Sequence, residues 1–405
     1  MSSTPVISIC IPTFNRCGYL YFTLKSIVEQ EIFKNTNDIE IVVSDNNSSD
    51  LTERISKIFV EKYPNKIIYN KNEDNIGDRN FEKVLTLGHG EVLKLHNDNF
   101  ILKDGALELI VNKIKELQDE RPMIFFANGN SRAKTRTLCN NLNEFVETAS
   151  YLTTWIAAFS IWKDDLGKVK CFTRNIHTFL TQTDVLFQMS ANGKKMFVWD
   201  EEIFEGQGVL KKGGYNIPKI FGKNYLSLLK PYLKSGQLDN KVYEKEKRVL
   251  LLNHIIPMKF SSSRRENGWQ FKNDGYWRHL FSDYWHYLYF YTSVVKIFRL
   301  MLDAELNLIG RKLNKNSYQK YWRKRNRHNE TTIGKDVDET KILVGKKAKG
   351  HIEAVFSNNP NELLIVDDNA TIQENVVFTF DKDELIIIKN SPKTADNSIV
   401  IPNSK

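Results

Sequence analysis

Short apolar runs alternate with helical patterns along the first 120 residues of the chain. Runs rich in β-branched residues predict four strands, at Val6–Ile11, Ile39–Ser44, Ile67–Tyr69 and Glu91–Leu95. Apolar residues spaced three or four apart predict the intervening helices, at Tyr19–Gln30, Leu51–Lys62 and Phe81–Leu87. This alternation is typical of a parallel sheet that carries helices on both faces.

Polar loops follow three of the predicted strands. The segments PTFNR, DNNSSD and HNDN come directly after the first, second and fourth strand. In parallel sheets of this class, ligands bind at the carboxyl ends of the strands. We therefore expect the three loops to meet at one edge of the sheet and to form a binding site there.

The composition is that of a globular protein. The chain has 405 residues, of which 41% are apolar and 26% charged. Two or three domains are expected, and a disordered, collagen-like or disulfide-framework chain is excluded. The four cysteines follow no metal or disulfide spacing, which indicates reduced thiols. Since the sequence shows neither a signal peptide nor an apolar run of membrane-spanning length, we expect a cytoplasmic protein.

Basic charge is concentrated in one segment. The net charge is +9, residues 311–328 contain eight Lys or Arg and no acid, and ten of the 21 residues at 271–291 are aromatic. Aromatic side chains before a basic run fit contact with an anionic membrane surface, which would place the protein peripherally on the inner face of the cytoplasmic membrane. Stacking on single-stranded nucleic acid, a solvated helix face and a buried helix pair fit the pattern too. The sequence has no recognised nucleic-acid motif, so we expect no nucleic-acid partner.

The pattern after the sheet divides into two parts. A helical segment is predicted over 226–330, with helices at Val242–Ile256, which Pro257 ends, and at Trp277–Leu308. From 331 to 405, short β-branched runs between turn residues predict a small all-β C-terminal module. This module loosely resembles the start of a left-handed β-helix. A truncated second enzyme, a small β-sandwich and a module for homo-oligomerisation fit as well.

Four segments carry a resemblance to a known family. In chain order they read ISICIPTFNR, EIVVSDNNSSD, NEDNIGDRNF and GEVLKLHNDN. They resemble the successive motifs of family 2 glycosyltransferases with the GT-A fold, in particular the abequosyltransferase-like branch of bacterial polysaccharide sugar transferases. The resemblance implies an α/β fold class, with a Rossmann-like, nucleotide-sugar-binding GT-A domain over 1–225. The helical segment and the β-rich module follow this domain.

The function that the resemblance implies is glycosyl transfer. Such an enzyme moves a sugar from a nucleotide-diphosphate donor, first of all a UDP-sugar, to a hydroxyl of a saccharide acceptor. The acceptor is expected to be lipid-linked, the process to be bacterial capsule or O-antigen synthesis, and the anomeric configuration to be inverted. Carboxylates of the family pattern are missing at two positions. The alternative is therefore a catalytically impaired scaffold or carbohydrate-binding subunit of the same fold.

The resemblance also assigns residues to the nucleotide. They are Pro12, Thr13, Phe14, Arg16, Asp45, Asn75, Gly77, Arg79 and Asn97. Asp45 is expected to accept a hydrogen bond from a uracil imide, although a helix N-cap or a turn explains an Asp there as well. Arg79 is expected either to reach a phosphate or to pair with Asp78 or another surface acid.

The Asp-X-Asp motif of the family is altered in this chain. In the family these carboxylates bind Mg²⁺ or Mn²⁺, hard cations that prefer oxygen ligands. The chain reads His96-Asn97-Asp98-Asn99, with Asp98 at the position of the second carboxylate and His96 at that of the first. The resemblance therefore implies Mn²⁺ or Mg²⁺ held by Asp98 and His96, at a site that the lost carboxylate weakens or abolishes.

A carboxylate later in the chain is the candidate catalytic base. Thr183 and Asp184 stand where the family has a Glu-Asp pair. Inverting transfer needs one carboxylate to take the proton of the acceptor hydroxyl. The resemblance assigns this role to Asp184, whereas an N-cap of the following helix explains the residue without catalysis. His177 is a candidate for contact with the acceptor or a phosphate.

Overall fold

A computed structural model describes most of the chain as two compact units. The first unit comprises Met1–Ser48 with Glu53–Ala304, and the second Glu305–Lys405 with Ser49–Thr52. The described residues are 4–299 apart from 133, 135–136, 208–211, 264–268, 273 and 297, together with 330–333, 341–345, 348–355, 362–367, 370–372, 377–379, 385–388 and 398–401. The basic run at 311–328 lies outside the described residues.

The first unit is a mixed α/β structure. Its strands are β1 (Ile7–Thr13), β2 (Ile39–Asp45), β3 (Ile67–Lys71), β4 (Val92–Leu95), β5 (Phe100–Leu102), β6 (Met123–Phe126), β7 (Leu138–Cys139), β8 (Ser160–Trp162), β9 (Met196–Trp199), β10 (Phe204–Gly206), β11 (Lys212–Gly213) and β12 (Trp269–Gln270). Its helices are α1 (Cys17–Val28), α2 (Glu31–Asn35), α3 (Thr52–Lys62), α4 (Arg79–Thr86), α5 (Ala106–Glu116), α6 (Leu142–Ala149), α7 (Lys163–Leu166), α8 (Thr181–Ala191), α9 (Tyr225–Lys234), α10 (Asn240–Val249), α11 (Ile256–Ser263) and α12 (Tyr276–Tyr284).

The central sheet confirms the predicted parallel arrangement. Its strand order is β3-β2-β1-β4-β8, in which β1 to β4 run parallel and β8 is antiparallel to β4. β1 and β2 are buried along nearly their whole length, as expected for parallel strands covered on both faces. The register pairs Thr13 with Asp45. The loops after β1 and β2 therefore begin at the same edge of the sheet.

Two smaller sheets and a helical layer complete the first unit. β6, β9 and β7 form a three-stranded sheet, and β5 pairs with β10. Side chains of α9 to α12, among them Leu229, Leu280 and Tyr284, belong to the same apolar core as Leu95 of β4.

The predicted domain boundaries at 225 and 330 stay predictions. Among the described helices, none is long and apolar enough to cross a membrane.

Pro257 does not end its helix, contrary to the sequence-based expectation. α10 continues through a wider π-helical turn, Leu250–Ile255, directly into α11, which contains Pro257 at its second position. The π turn changes the hydrogen-bond spacing just before Pro257, so the proline follows an irregular turn and does not interrupt a regular α-helical ladder.

From residue 330 onward, the described part of the second unit is built mainly of strands. β13 (Glu330–Ile333), β15 (Lys349–Val355) and β17 (Val377–Thr379) pair in parallel, as do β14 (Ile342–Val344), β16 (Leu363–Val366) and β18 (Leu385–Ile388), to which β19 (Ser398–Ile401) adds antiparallel. The strands bury a small apolar cluster that includes Leu364, Val366 and Ile386. That the whole tail forms an all-β module stays a prediction.

Candidate active site

The carboxyl edge of the central sheet brings the predicted loops together. The amide of Asn46, just after β2, donates to the carbonyl of Thr13 at the end of β1 (2.9 Å). The amide of His96, just after β4, donates to the carbonyl of Cys10 in β1 (2.8 Å). The loops after β1, β2 and β4 are thus tied to one strand.

Asp98 forms the centre of this edge together with residues of the first loop. Its Oδ2 accepts a hydrogen bond from Thr13 Oγ1 (3.0 Å), and its Oδ1 accepts one from Arg16 Nη1 (2.9 Å). The backbone carbonyl of Asp98 accepts a third hydrogen bond, from Thr23 Oγ1 of α1 (2.8 Å). The Asp98 side chain is 5% exposed, whereas that of Arg16 is 41% exposed. A guanidinium held by a buried carboxylate is therefore presented toward solvent at the carboxyl edge.

Phe14 and Pro12 flank Thr13 at the end of β1. Pro12 lies opposite Ser44 of β2, and Phe14 keeps 42% of its surface exposed. An exposed aromatic ring offers a flat apolar face to a planar group of a ligand. Their predicted contact with a nucleotide base stays a prediction.

The Asp45 side chain forms hydrogen bonds with the loop that follows β2 and with β3. The side chain is fully buried, Oδ1 accepts from the amide of Ser48 (2.9 Å), and Oδ2 accepts from the hydroxyl of Tyr69 in β3 (2.8 Å). Both oxygens thus have partners within the protein, which supports the turn interpretation of this residue. Its contact with a base stays a prediction. Local sequence patterns gave no sign of the Tyr69 partner, which comes from a different strand.

An asparagine network fixes the loop that contains Asn75 and Gly77. Asn46, which sequence reasoning did not single out, accepts from the amide of Ile76 through Oδ1 and donates through Nδ2 to Asn75 Oδ1, both at 2.8 Å. Gly77 adopts a φ of +58°, which a side chain would strain. Arg79, the first residue of α4, is exposed and forms no ion pair with Asp78 among the described contacts.

His96 points into the protein interior. Its Nε2 lies 3.1 Å from the carbonyl oxygen of Phe100, and its ring packs edge-on against Phe204. Burial, with a smaller effect of the Lys94 ammonium, lowers the pKa of His96 to about 3, so the ring is neutral. Because the Phe100 carbonyl is an acceptor, Nε2 carries the proton. Nδ1 then has a lone pair, for which the described residues supply no hydrogen-bond partner.

Lys94 lies beside His96 and is also fully buried. Its Nζ donates to the carbonyls of Ala157 (2.8 Å) and Leu95 (3.2 Å) and sits over the Phe126 ring. Burial lowers its pKa to about 7. This lysine fastens the loop around residue 157 to β4.

Among the described residues at this edge, Asp98 alone suits a divalent cation. Its carboxylate reaches the carboxyl edge and is a hard oxygen ligand, provided that Arg16 moves aside. The Nδ1 lone pair of His96 is suitable in type, but it is completely buried next to a lysine. No group of three or more acidic, His or Cys side chains suited to a metal occurs in the part of the chain that the structure describes. A cation here would take its other ligands from a diphosphate and water, as Mg²⁺ commonly does.

Asp184 lies in the first turn of α8 and is paired with an arginine. Arg174 donates from Nε to Oδ2 (2.6 Å) and from Nη2 to Oδ1 (2.7 Å), while Nη2 also reaches the hydroxyl of Tyr232 (3.0 Å). These hydrogen bonds raise the pKa of Arg174 above its usual value. Asp184 is 1% exposed. The arginine, ten residues upstream, was not foreseen from the sequence, because nothing in a local pattern marks the partner of a buried charge.

One loop connects α8 to the loop after β4. The carbonyls of Thr153 and Thr154 accept from Thr183 Oγ1 and Gln182 Nε2 at the start of α8, both at 2.9 Å. Three residues later, the amide of Ala157 donates to Oδ1 of Asn97 (3.1 Å). The candidate base and the altered Asp-X-Asp motif are therefore joined through a short stretch of backbone. Asn97, predicted as a nucleotide contact, has a structural partner here.

The start of α8 also contains two buried side-chain oxygens. Thr181 Oγ1 and Gln182 Oε1 are buried and have no hydrogen-bond partner among the described residues. Just before them, Phe179 adopts a φ of +61° and is 57% exposed. A bulky residue in the left-handed region is strained, and such strain concentrates at functional sites. His177 is exposed on the same short segment.

Comparison with known proteins identifies the segment that builds this edge. Residues 8–161 match the model of glycosyl transferase family 2. This segment belongs to glycosyltransferase family 2. Abequosyltransferase RfbV of Salmonella typhimurium is 43% identical over 106 residues, which are 26% of this chain and 31% of that protein. A Campylobacter jejuni GalNAc(5)-diNAcBac-PP-undecaprenol β-1,3-glucosyltransferase is 36% identical over 114 residues, 28% of this chain and 35% of the relative. The family 2 segment thus matches about a third of the length of these relatives.

Solved structures resemble the chain more distantly. Residues 1–349 of Staphylococcus aureus TarS align over 68% of this chain and 79% of theirs, with 16% identity and a TM-score of 0.47. A Pyrobaculum calidifontis mannosyltransferase, solved in complex with GDP-mannose and Mn²⁺, aligns over 76% of this chain and 88% of its own, with 14% identity and a TM-score of 0.47.

Proposed function

We propose that the chain is an inverting glycosyltransferase that moves a sugar from a nucleoside-diphosphate donor to a hydroxyl of a saccharide. The observation that carries this proposal is the connection between two parts of one site. The cluster around Asp98 lies at the carboxyl edge of the central sheet, which the family 2 segment builds. The loop at 153–157 contacts Asn97, next to Asp98, and Thr183, next to the buried Asp184. Both partners of a displacement reaction thus have a candidate binding region.

The donor is assigned to the edge formed by β1, β2 and β4. Phe14 offers a ring to the base, and Arg16 offers a guanidinium to the diphosphate, held in place by Asp98. A divalent cation bound with the diphosphate would have Asp98 as its protein ligand once Arg16 had turned from this carboxylate to the phosphates, and it would supply stabilisation of the leaving group's charge. A UDP-sugar is the donor that we would test first.

The acceptor is assigned to the start of α8. The buried, unsatisfied oxygens of Thr181 and Gln182 can bind sugar hydroxyls, and the exposed ring of Phe179 can pack against the apolar face of a sugar. The acceptor of the Campylobacter relative carries a pyrophosphate-linked undecaprenol, by that protein's name. We propose a lipid-linked saccharide acceptor in bacterial polysaccharide synthesis for this chain as well.

The reaction is then a single displacement at the anomeric carbon. The acceptor oxygen forms the new bond to this carbon, while the bond to the diphosphate oxygen breaks and the nucleotide leaves with the electron pair. The proton of the acceptor hydroxyl goes to the Asp184 carboxylate. Arg174 occupies one direction at each carboxylate oxygen, and an ionised carboxylate has about four acceptor positions, so the hydroxyl can bind while the ion pair persists.

Ligand-dependent melting tests the donor assignment. UDP, GDP, CDP and dTDP would each be added with Mn²⁺, with Mg²⁺ or with EDTA, and the melting temperature recorded. A ligand that binds only the folded chain raises that temperature by mass action. We expect one diphosphate to stabilise the protein, and more strongly with a divalent cation. If none of the four shifts the transition, the donor site is wrongly assigned and the scaffold alternative is favoured.

A further inference from the structure

One surface of the chain concentrates exposed apolar side chains. Nine large apolar residues are exposed in the described part of the chain, and six of them fall between 281 and 298. They are Phe281, Trp285, Leu288, Tyr291, Val295 and Phe298, with exposed fractions from 46% to 79%. Single exposed apolar residues are ordinary, whereas a concentration of this kind marks an interaction surface. We call these six residues the apolar stripe.

The stripe lies on the outer face of helices whose inner face is already packed. α12 and the helical residues 288–296 bury Tyr276, Leu280, Tyr284 and Phe290 in the core of the first unit. Leu288, Tyr291 and Val295 follow one another at intervals of three or four within the helical residues 288–296, which places these three on one side of that helix. Phe281 is exposed on α12, and Trp285 is exposed in the turn between the two helices. The helices are therefore apolar on two faces, and folding of the described residues covers only one of them.

Positive charge accompanies the stripe. Arg278, Lys296 and Arg299 are exposed on the same segment, and the acidic residue within it, Asp283, is paired with Lys230 at 2.8 Å. In the sequence the stripe is followed by the basic run at 311–328. The outer face thus combines apolar and aromatic side chains with exposed cations.

We propose that the apolar stripe docks the protein on an anionic lipid bilayer. Aromatic and aliphatic side chains enter the headgroup boundary of such a bilayer, and flanking Lys and Arg attract its anionic lipids. The contact that we propose is peripheral, at the headgroup boundary of the bilayer. This inference does not depend on the proposed glycosyl transfer, since it concerns a different surface.

Two other occupants fit the observations less well. A second copy related by a two-fold axis would bring the same cations together and repel itself. Single-stranded nucleic acid would stack on aromatic rings, yet the two most exposed stripe residues, Leu288 at 79% and Val295 at 67%, are aliphatic. Aliphatic side chains are stabilised by transfer into lipid, whereas they provide no ring on which a base can stack.

Vesicle co-sedimentation of the full chain tests the proposal. The protein would be mixed with vesicles of phosphatidylcholine alone and with vesicles that also contain phosphatidylglycerol. We expect at least about tenfold tighter binding to the anionic vesicles, and weaker binding as salt rises, because the cations contribute through screened interactions. Equal binding to both vesicle types, or no binding to either, would overturn the proposal.

A matched pair of variants separates the stripe from the rest of the surface. Leu288→Glu combined with Val295→Glu places two charges on the stripe, at exposed positions that tolerate substitution. Leu109→Glu changes a side chain that is 50% exposed on α5 and serves as the control. We expect each of the two substitutions to weaken binding to anionic vesicles at least about tenfold, and the control to bind as the wild type does. Equal losses in both variants would contradict the assignment to this face.

Two further measurements keep the proposal falsifiable when a variant misfolds. Trp285, which is 54% exposed, should be quenched by brominated lipid in the wild-type protein, and Trp285→Phe should remove that part of the quenching. Light scattering and binding to a single-stranded RNA oligomer test the other occupants. A dimer, or RNA binding, that the double variant abolishes while lipid binding persists would assign the stripe to that occupant instead.

Discussion

Replacing Asp98 by asparagine tests the centre of the donor site. The carboxylate accepts from Thr13 Oγ1 and Arg16 Nη1 at the same time. Asparagine keeps one acceptor oxygen and presents an NH₂ group to one of these two donors. The variant Asp98→Asn therefore removes a charge and leaves one donor without an acceptor.

The expected loss of stability follows from the burial of the two contacts. A hydrogen bond to a charged group contributes about 1.5–3 kcal/mol, and the Thr13 contact is buried. Arg16 is 41% exposed, so its ion pair is screened and contributes about 0–1 kcal/mol. Since asparagine retains part of these interactions, we expect a net loss of about 2 kcal/mol in the free energy of unfolding, and a melting temperature lower by a few degrees.

The same variant is expected to change how the nucleotide binds. Calorimetric titration with the stabilising nucleoside diphosphate, in Mn²⁺ and in EDTA, should show a metal-dependent gain in affinity for the wild type and none for Asp98→Asn. Asp38→Asn is the control, because Asp38 pairs with Lys115 and precedes β2 at the opposite edge of the sheet. If Asp98→Asn keeps the full metal-dependent gain, Asp98 is not the ligand and the reasoning is refuted.

Three further predictions concern buried or strained groups. Burial raises the pKa of Glu246 to about 7, so the folded chain keeps a proton that the unfolded chain loses above about pH 4.3. Stability from this group is present at low pH and falls as the pH rises to about 7, and Glu246→Gln should remove about 3 kcal/mol of that pH dependence, as urea unfolding at about pH 5 and pH 8 would show. Burial lowers the pKa of Lys94 to about 7, so stability from this group is lost as the pH falls from about 10.4 to 7. Lys94→Met should flatten the dependence of the free energy of unfolding on pH in that window. An unchanged slope would contradict the burial of the ammonium. Phe179→Gly should relieve the strain at φ +61° and stabilise the chain by about 1 kcal/mol. The KM for the acceptor should rise in the same variant. A loss of stability would show that packing of the Phe179 ring outweighs the backbone strain.

The sequence predicted the sheet and its loops well, because these depend on local pattern. The predicted strands Val6–Ile11 and Ile39–Ser44 correspond to Ile7–Thr13 and Ile39–Asp45 in the structure. The helix predicted at Leu51–Lys62 runs from Thr52 to Lys62. Apolar runs in buried parallel strands are clear signals, and the polar residues that end them mark the ligand edge.

Contacts between distant parts of the chain could not be predicted from local patterns. Lys94 stands in the middle of an apolar strand, and no local pattern indicated that its ammonium would be held by the carbonyl of Ala157, 63 residues later. Arg174 and Tyr232, the partners around Asp184, are also set by tertiary packing. A local pattern specifies that a residue is buried, but the partner that makes burial tolerable comes from the fold.

Turnover of a nucleotide-sugar donor by matched aspartate variants tests the central claim most directly. Wild type, Asp184→Asn and Asp165→Asn would be assayed for release of the nucleoside diphosphate in the presence of saccharide acceptors. Asp165 is, like Asp184, a buried carboxylate in ion pairs, with Lys168 and Lys194. The account predicts that Asp184→Asn lowers kcat by about 10²–10⁴-fold and that Asp165→Asn stays near the wild type. Equal rates for all three proteins, or no turnover by the wild type with any donor, would contradict it.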